Sequence, residues 1–106
     1  MDFNEYRVII TEPAKADIIG IHSYIAKDLN APAAAKNLVL AIRKSTRTLT
    51  FSPQGLPRVP DDRLSAKGYR WIGIKNYMAF FTIDEQAKAV YVERILYGQR
   101  DWTRIL

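Results

Sequence analysis

The spacing of hydrophobic and polar positions changes rhythm several times along the chain, and each change marks an element. Tyr6-Arg7-Val8-Ile9-Ile10 is rich in β-branched residues and predicts a short strand. Thr11 and Pro13 then supply a helix start, because proline in the first turn gives up no needed N–H bond. From Ala14 the apolar positions Ile18, Ile21 and Ile25 recur at helical spacing, which predicts an amphipathic helix over Ala14–Asp28. Gly20 costs that helix about 1 kcal/mol relative to alanine, an expense that suggests close packing there. Asn30-Ala31-Pro32 is a break, and Pro32 opens a second helix whose inner stripe is Ala35, Leu38, Val39, Ile42, Thr46 and Leu49. The short connection predicts an antiparallel helical hairpin.

Phe51-Ser52-Pro53 ends the second helix, and Gln54–Lys67, with Gly55, Pro57 and Pro60, reads as a surface loop with room for one short turn. Three strands follow: Tyr69–Ile74, Tyr77–Ile83 and Ala89–Tyr97. Lys75-Asn76 forms a tight turn in which asparagine suits a positive φ, and Asp84–Lys88 a polar one. Asp101–Leu106 fits either a helical turn or an extended tail. The order β-α-α-β-β-β predicts an α+β fold: one domain over residues 1–106, a small antiparallel-rich sheet with a helical hairpin on one face, and the first strand beside the last.

Period-two alternation assigns the faces. Tyr69 and Trp71, with Tyr77, Ala79, Phe81 and Ile83, are expected on the helix-covered face, leaving Arg70, Met78 and Phe80 on the other. Val90, Val92 and Leu96 share a parity with Arg94, which requires either Arg94 at the rim of the core or a bulge near Glu93. The apolar part of the second face is either sheltered by the Gln54–Lys67 loop or docks a partner; its size favours a partner, with Met78, Phe80 and Trp102 as contact residues.

Composition adds charge and removes chemistries. The 106 residues carry a net charge of +5, and no acidic residue lies between Leu29 and Pro60, where Lys36, Arg43, Lys44, Arg47 and Arg58 all fall. Such a surface attracts polyanions or an acidic protein. With no cysteine and one histidine, neither a disulfide nor a thiolate or histidine-cluster metal site is available, and no cofactor is expected. His22, on a helix flank, reads as structural, and Asp61-Asp62 as a turn rather than a metal site. No run is long enough to span a membrane and Met1–Glu5 is not a signal peptide, so a cytoplasmic protein is expected.

The densest chemistry is in Val90–Trp102, where a strand breaks at Gly98 and presents Gln99, Arg100 and Asp101 beyond it. Four segments in order, Ala14-Lys15-Ala16-Asp17-Ile18, Gly68-Tyr69-Arg70, Asn76-Tyr77-Met78-Ala79-Phe80-Phe81 and Arg94–Trp102, resemble the RelE/ParE superfamily of type II toxin–antitoxin toxins over nearly the whole chain. The resemblance implies a growth-inhibiting toxin covered by a co-encoded antitoxin in a hetero-oligomer. RelE-like members cut ribosome-bound mRNA without metal; ParE-like members are associated with poisoning DNA gyrase.

Metal-free RNA cleavage needs a base, a cation for the phosphorane charge and an acid. Met78 stands where RelE-like toxins carry a strand arginine, and Leu106 where they carry a tyrosine. Arg100 matches their second arginine, Arg70 keeps a basic residue, and Tyr97 stands where many relatives have histidine. The resemblance is therefore closer to ParE, with Lys75, Arg94 and Arg100 as target-binding residues. The alternatives are a ribosome-dependent endoribonuclease using Arg100, Arg70 and Tyr97, and a non-catalytic basic nucleic-acid-binding module or degenerate toxin.

Overall fold

A computed structural model of the chain describes residues 5–106. Strand β1 (Arg7–Ile10) leads into helix α1 (Glu12–Ser23), which continues as a π-helical turn over Tyr24–Asp28. Helix α2 (Pro32–Arg47) runs into a 3-10 turn at Thr48–Thr50. A second 3-10 turn (Pro53–Gly55) and the short helix α3 (Asp62–Ala66) precede β2 (Arg70–Ile74), β3 (Tyr77–Asp84) and β4 (Ala89–Tyr97). Helix α4 (Trp102–Ile105) follows β4. The sheet order is β1-β4-β3-β2, with β1 parallel to β4 and the other pairs antiparallel.

The helix starts follow from their first residues. The Thr11 hydroxyl accepts the Ala14 amide at 3.3 Å, and Pro13 fixes the first turn of α1, as Pro32 does for α2. Of the predicted α2 stripe, Ala35, Leu38, Ile42, Thr46 and Leu49 are buried and Val39 is half-buried. The Thr46 hydroxyl is satisfied by the Ile42 carbonyl at 2.9 Å. Asp61 is the N-cap of α3, its carboxylate accepting the Leu64 amide at 3.0 Å. Gly68, at φ +89°, takes the left-handed conformation that lets the chain leave α3 and turn into β2.

The sheet has two cores. Facing the helices, Tyr6, Ala14, Leu38, Ile42, Leu49, Ile74, Ala79, Phe81, Val90, Val92 and Ile95 form the larger one. On the opposite face, Val59, Leu64, Phe80 and Leu96 form a second, flanked by Tyr69, Trp71, Met78, Trp102, Ile105 and Leu106. The second face is thus closed by the chain itself. Phe80 is fully buried, and the Trp102 ring lies 5.5 Å from it. Of the three residues expected to dock a partner, Phe80 is thus enclosed by the chain's own core, whereas Met78 and Trp102 are half-buried at its margin. The segment that reads as a loop supplies Val59 and Leu64 as its lid, and the C-terminal helical turn supplies the rest.

The facing of β2 is also the reverse of the expectation. Tyr69 and Trp71 pack on the second face, whereas Arg70 pairs with Phe81 and Ile72 and Ile74 join the helix-side core. The aromatic bulk of Tyr69 and Trp71 suggests the larger core, but cross-strand register decides the facing. In β4 the parity conflict is resolved by a bulge. Phe80 pairs with Arg94 and Phe81 with Val92, so Glu93 is left without a partner on β3. Val90 and Val92 therefore face the helices, while Leu96 faces the second core.

Strand β1 stops at Ile10, leaving the second half of β4 with an uncovered edge. Helix α1 takes over there. The Thr11 hydroxyl donates toward the carbonyls of Val92 (2.9 Å) and Glu93 (3.1 Å), and the Thr11 amide donates to Val92 at 3.1 Å. The Asp17 carboxylate accepts the Ile95 amide at 2.9 Å and both Nε (2.7 Å) and Nη2 (2.9 Å) of Arg94. This fork-on-fork pair holds the Arg94 guanidinium above its ordinary pKa, chiefly through the hydrogen bonds to Asp17. At the other end, the Tyr6 hydroxyl donates to Glu85 at 2.6 Å while accepting from Gln54, which also donates to Glu85 at 3.0 Å.

Removing Asp17 strands a partly buried guanidinium and a strand amide together. We expect Asp17→Ala to destabilise the chain by about 2–4 kcal/mol, read as a lower urea midpoint with an unchanged m-value; an unchanged midpoint would refute it. The Tyr6 hydroxyl first, and the Gln54 amide second, lower the Glu85 pKa below the ordinary 4.5. A depressed carboxylate stabilises the fold above its unfolded pKa and loses that contribution as pH falls through the folded value. Glu85→Gln should therefore flatten the stability–pH profile on the acid side, measured by urea titrations across that range.

Candidate functional site

Between the helical hairpin and the far end of the sheet lies a cleft of about 910 Å³. One wall is Ala16, Gly20, Ile21 and Tyr24 of α1 and its π-helical turn, with Leu29, Ala31 and Ala34 beyond. The other wall is Asn76 of the β2–β3 turn and Tyr77 of β3 with Ile95 and Tyr97 of β4, and Lys75 and Arg100 add the positive charge. The lining is mainly apolar yet open: Tyr24 is 52% exposed, Leu29 55% and Tyr97 40%. Apolar surface of this kind, edged by cations, is a binding feature rather than unfinished core.

Local structure explains how the cleft is held. Lys75 adopts φ +54°, so the positive φ expected of Asn76 falls on the lysine. A non-glycine residue held in that region at a cleft mouth is a strained, fixed presentation. The Asn76 carbonyl accepts the Gly98 amide at 2.8 Å. A Cβ on Gly98 would come within 3.2 Å of that carbonyl oxygen, so the glycine allows the β2–β3 turn and the end of β4 to touch. That approach brings Lys75 and Arg100, far apart in sequence, to one site. Tyr77 and Tyr97 meet edge to face at 5.7 Å. Burial, then Tyr97 and Tyr24, push the Tyr77 hydroxyl above its ordinary pKa, which keeps it a neutral hydrogen-bond donor rather than a base.

Lys75, Tyr97 and Arg100 therefore come together, but Arg94 and Arg70 do not join them. Arg94 is engaged by Asp17 and acts as a clamp, not a free cation. Arg70 sits at the opposite end of β2 from Lys75, about 15 Å away along the strand. Its Nη1 donates to the carbonyls of Leu56 (2.5 Å) and Gln54 (3.1 Å). Met78, between the strands near Gly98, offers no group for phosphate or proton transfer. His22 is exposed and does not line the cleft. Among the described residues no group of three or more His, Cys, Asp or Glu side chains is placed to hold a metal ion.

Sequence reasoning missed the helix wall. Tyr24 and Leu29 carried the signal, as large apolar residues off the buried stripe of the helix. Gly20 is expected from the sequence to pack closely, but a Cβ there would meet nothing within 4 Å. It keeps the cleft wall low instead. Gly20→Ala should therefore stabilise the chain by about 0.5–1 kcal/mol through helix propensity, measured as a raised urea midpoint; destabilisation would mean that the site is packed after all.

Comparison with known proteins adds to this geometry. Among curated protein sequences none matches the chain significantly. The structure is similar to that of the chromosomal ParDE toxin–antitoxin system from Pseudomonas aeruginosa, with a TM-score of 0.74 and 19% identity over 91% of this chain and 99% of that one. It is also similar to the RelBE2 toxin–antitoxin complex from Mycobacterium tuberculosis, with a TM-score of 0.61 and 15% identity over 91% of this chain and 94% of that one. A family model described as the ParE toxin of the type II toxin–antitoxin system parDE matches residues 8–102. The chain belongs to the ParE toxin family of type II toxin–antitoxin systems.

Proposed function

We propose that the chain arrests growth by engaging DNA gyrase through the Lys75, Tyr97 and Arg100 end of the cleft, and that a co-encoded antitoxin neutralises it by occupying that cleft. The family match across residues 8–102 carries the reading. The similar solved structures are of toxin–antitoxin systems, which supports an antitoxin as partner. The cleft suits an amphipathic segment: its apolar side lies against Ile21, Tyr24 and Tyr77, and acidic residues meet Lys75 and Arg100. Occupancy by such a segment hides both cations, so one docking event blocks the target surface.

The ribonuclease alternative has less support. Of its three groups, Arg100 and Tyr97 line the cleft, but the Arg70 guanidinium is bound to backbone carbonyls at the other end of β2. Beside Tyr97, the Tyr77 hydroxyl is pushed above its ordinary pKa, first by burial, which suits it to donate a hydrogen bond rather than to take a proton.

Purified chain should inhibit gyrase supercoiling, and the antitoxin should restore it. Combined Lys75→Ala and Arg100→Ala should weaken inhibition by about tenfold or more without changing the unfolding midpoint. Unchanged supercoiling at excess chain would overturn the gyrase reading. Discrete cuts in translated mRNA that vanish with Arg100→Ala would establish the ribonuclease instead.

A further inference from the structure

A second surface, remote from the cleft in its lining residues, is built from β1 and the outer side of α2. A shallow groove there is lined by Arg7 to Ile10 on one side and by Arg43, Thr46, Arg47 and Thr50 on the other. Arg7, Arg43 and Arg47 are all exposed, and none has an acidic partner among the described residues. At 100° per residue, Lys36, Arg43 and Arg47 fall within about 40° of each other around the α2 axis and span about 16 Å along it. Leu40 lies between them and Lys44 flanks them; both lysines are exposed. Two acids lie toward the Tyr6 end: Glu5, and Glu85, which is already engaged by Tyr6, Gln54 and Lys88.

We propose that this groove and the α2 stripe bind the phosphate backbone of duplex nucleic acid, independently of the cleft. The charge complementarity is that of a regular polyanion, because the row of exposed cations, Lys36, Arg43 and Arg47, runs along the helix beside the groove. The backbone edge argues against an extended acidic peptide. The Tyr6 amide donates to Thr50 at 2.9 Å and Glu5 bridges Phe51, so the outer edge of β1 is closed where it begins. The Arg7 and Thr11 amides point inward to β4, which by alternation leaves only those of Val8 and Ile10 outside. That is too short an edge for strand addition to dominate. A single strand is disfavoured because its bases need aromatic faces, and Tyr6, the groove's aromatic residue, is buried.

The test measures binding of the full chain to a fluorescent DNA duplex of arbitrary sequence over a series of salt concentrations. A variant carrying Arg7→Gln, Arg43→Gln and Arg47→Gln should bind about tenfold or more weakly at low salt. Its slope of log affinity against log salt should shrink by roughly 0.9 for each phosphate that the variant no longer neutralises. The exposed positions leave the unfolding midpoint unchanged, which separates weakened binding from a damaged fold. The Lys75→Ala, Arg100→Ala variant should bind the duplex like the parent, which makes failure here distinguishable from failure of the gyrase reading. The proposal is overturned if the triple variant binds duplex DNA with the parent's affinity and slope. It is equally overturned if a glutamate-rich peptide or a single-stranded RNA binds the groove more tightly than the duplex does.

Discussion

The Asp17 carboxylate is the point on which the architecture depends. Helix α1 must lie against the half of β4 that β1 does not cover, and that edge carries open backbone groups. One side chain answers both needs, taking the Ile95 amide and the Arg94 fork together at 2.7–2.9 Å. Because the pair is only partly exposed, water competes weakly for it, and the geometry satisfies both carboxylate oxygens. The clamp sets the height of α1 over the sheet, and therefore the width of the cleft between α1 and the end of β4. It also gives a physical meaning to the segments by which the family is recognised: Asp17 lies in one, Arg94 and Ile95 in another.

The same logic extends to the other segments. The hydrogen bond from Gly98 to Asn76 joins the third to the fourth, and Gly68 turns the chain into the second. These residues position the site more than they perform its chemistry. The side chains free to act, Lys75, Tyr97 and Arg100, stand where the clamped pieces leave space. Such a division separates the frame from the cations and hydroxyls at the cleft's end, so those side chains can be changed without disturbing the clamps.

The bulge at Glu93 has a larger effect than its one extra residue suggests. A strand with unbroken alternation would send Val90, Val92, Arg94 and Leu96 to one face and bury a guanidinium among valines. The extra residue switches the facing midway, so β4 feeds the helix-side core first and the second core afterwards. Arg94 then emerges where it can reach Asp17 over the open edge. Two buried faces on a four-stranded sheet need two covers, which is why α3 and α4, short as they are, pack Leu64 and Ile105 onto the side opposite the helical hairpin.

The elements, their order and the chemistry the chain lacks are all legible in the linear order of residues. Period and punctuation are local: β-branched runs, the Ile18-Ile21-Ile25 stripe, Pro13, Pro32 and Gly98 act within a few residues of themselves. Lys75, Tyr97 and Arg100 also stand out as residues of interest at that level. Which face of β2 meets the helices does not, because Tyr69 and Trp71 satisfy either core and only pairing with β3 distinguishes them. Nor can Arg70 and Arg94, bound by Leu56 and Asp17, be separated from Arg100, which has no side-chain partner among the described residues: the side chains are alike and only the acceptors within reach differ. Of the helix wall of the cleft, only Tyr24 and Leu29, large apolar residues off the buried stripe, are legible; its assembly with the sheet is not. Gly20, Tyr24 and Tyr77 become one surface only when α1 is fastened to the edge of β4, and that fastening joins residues 78 apart in sequence.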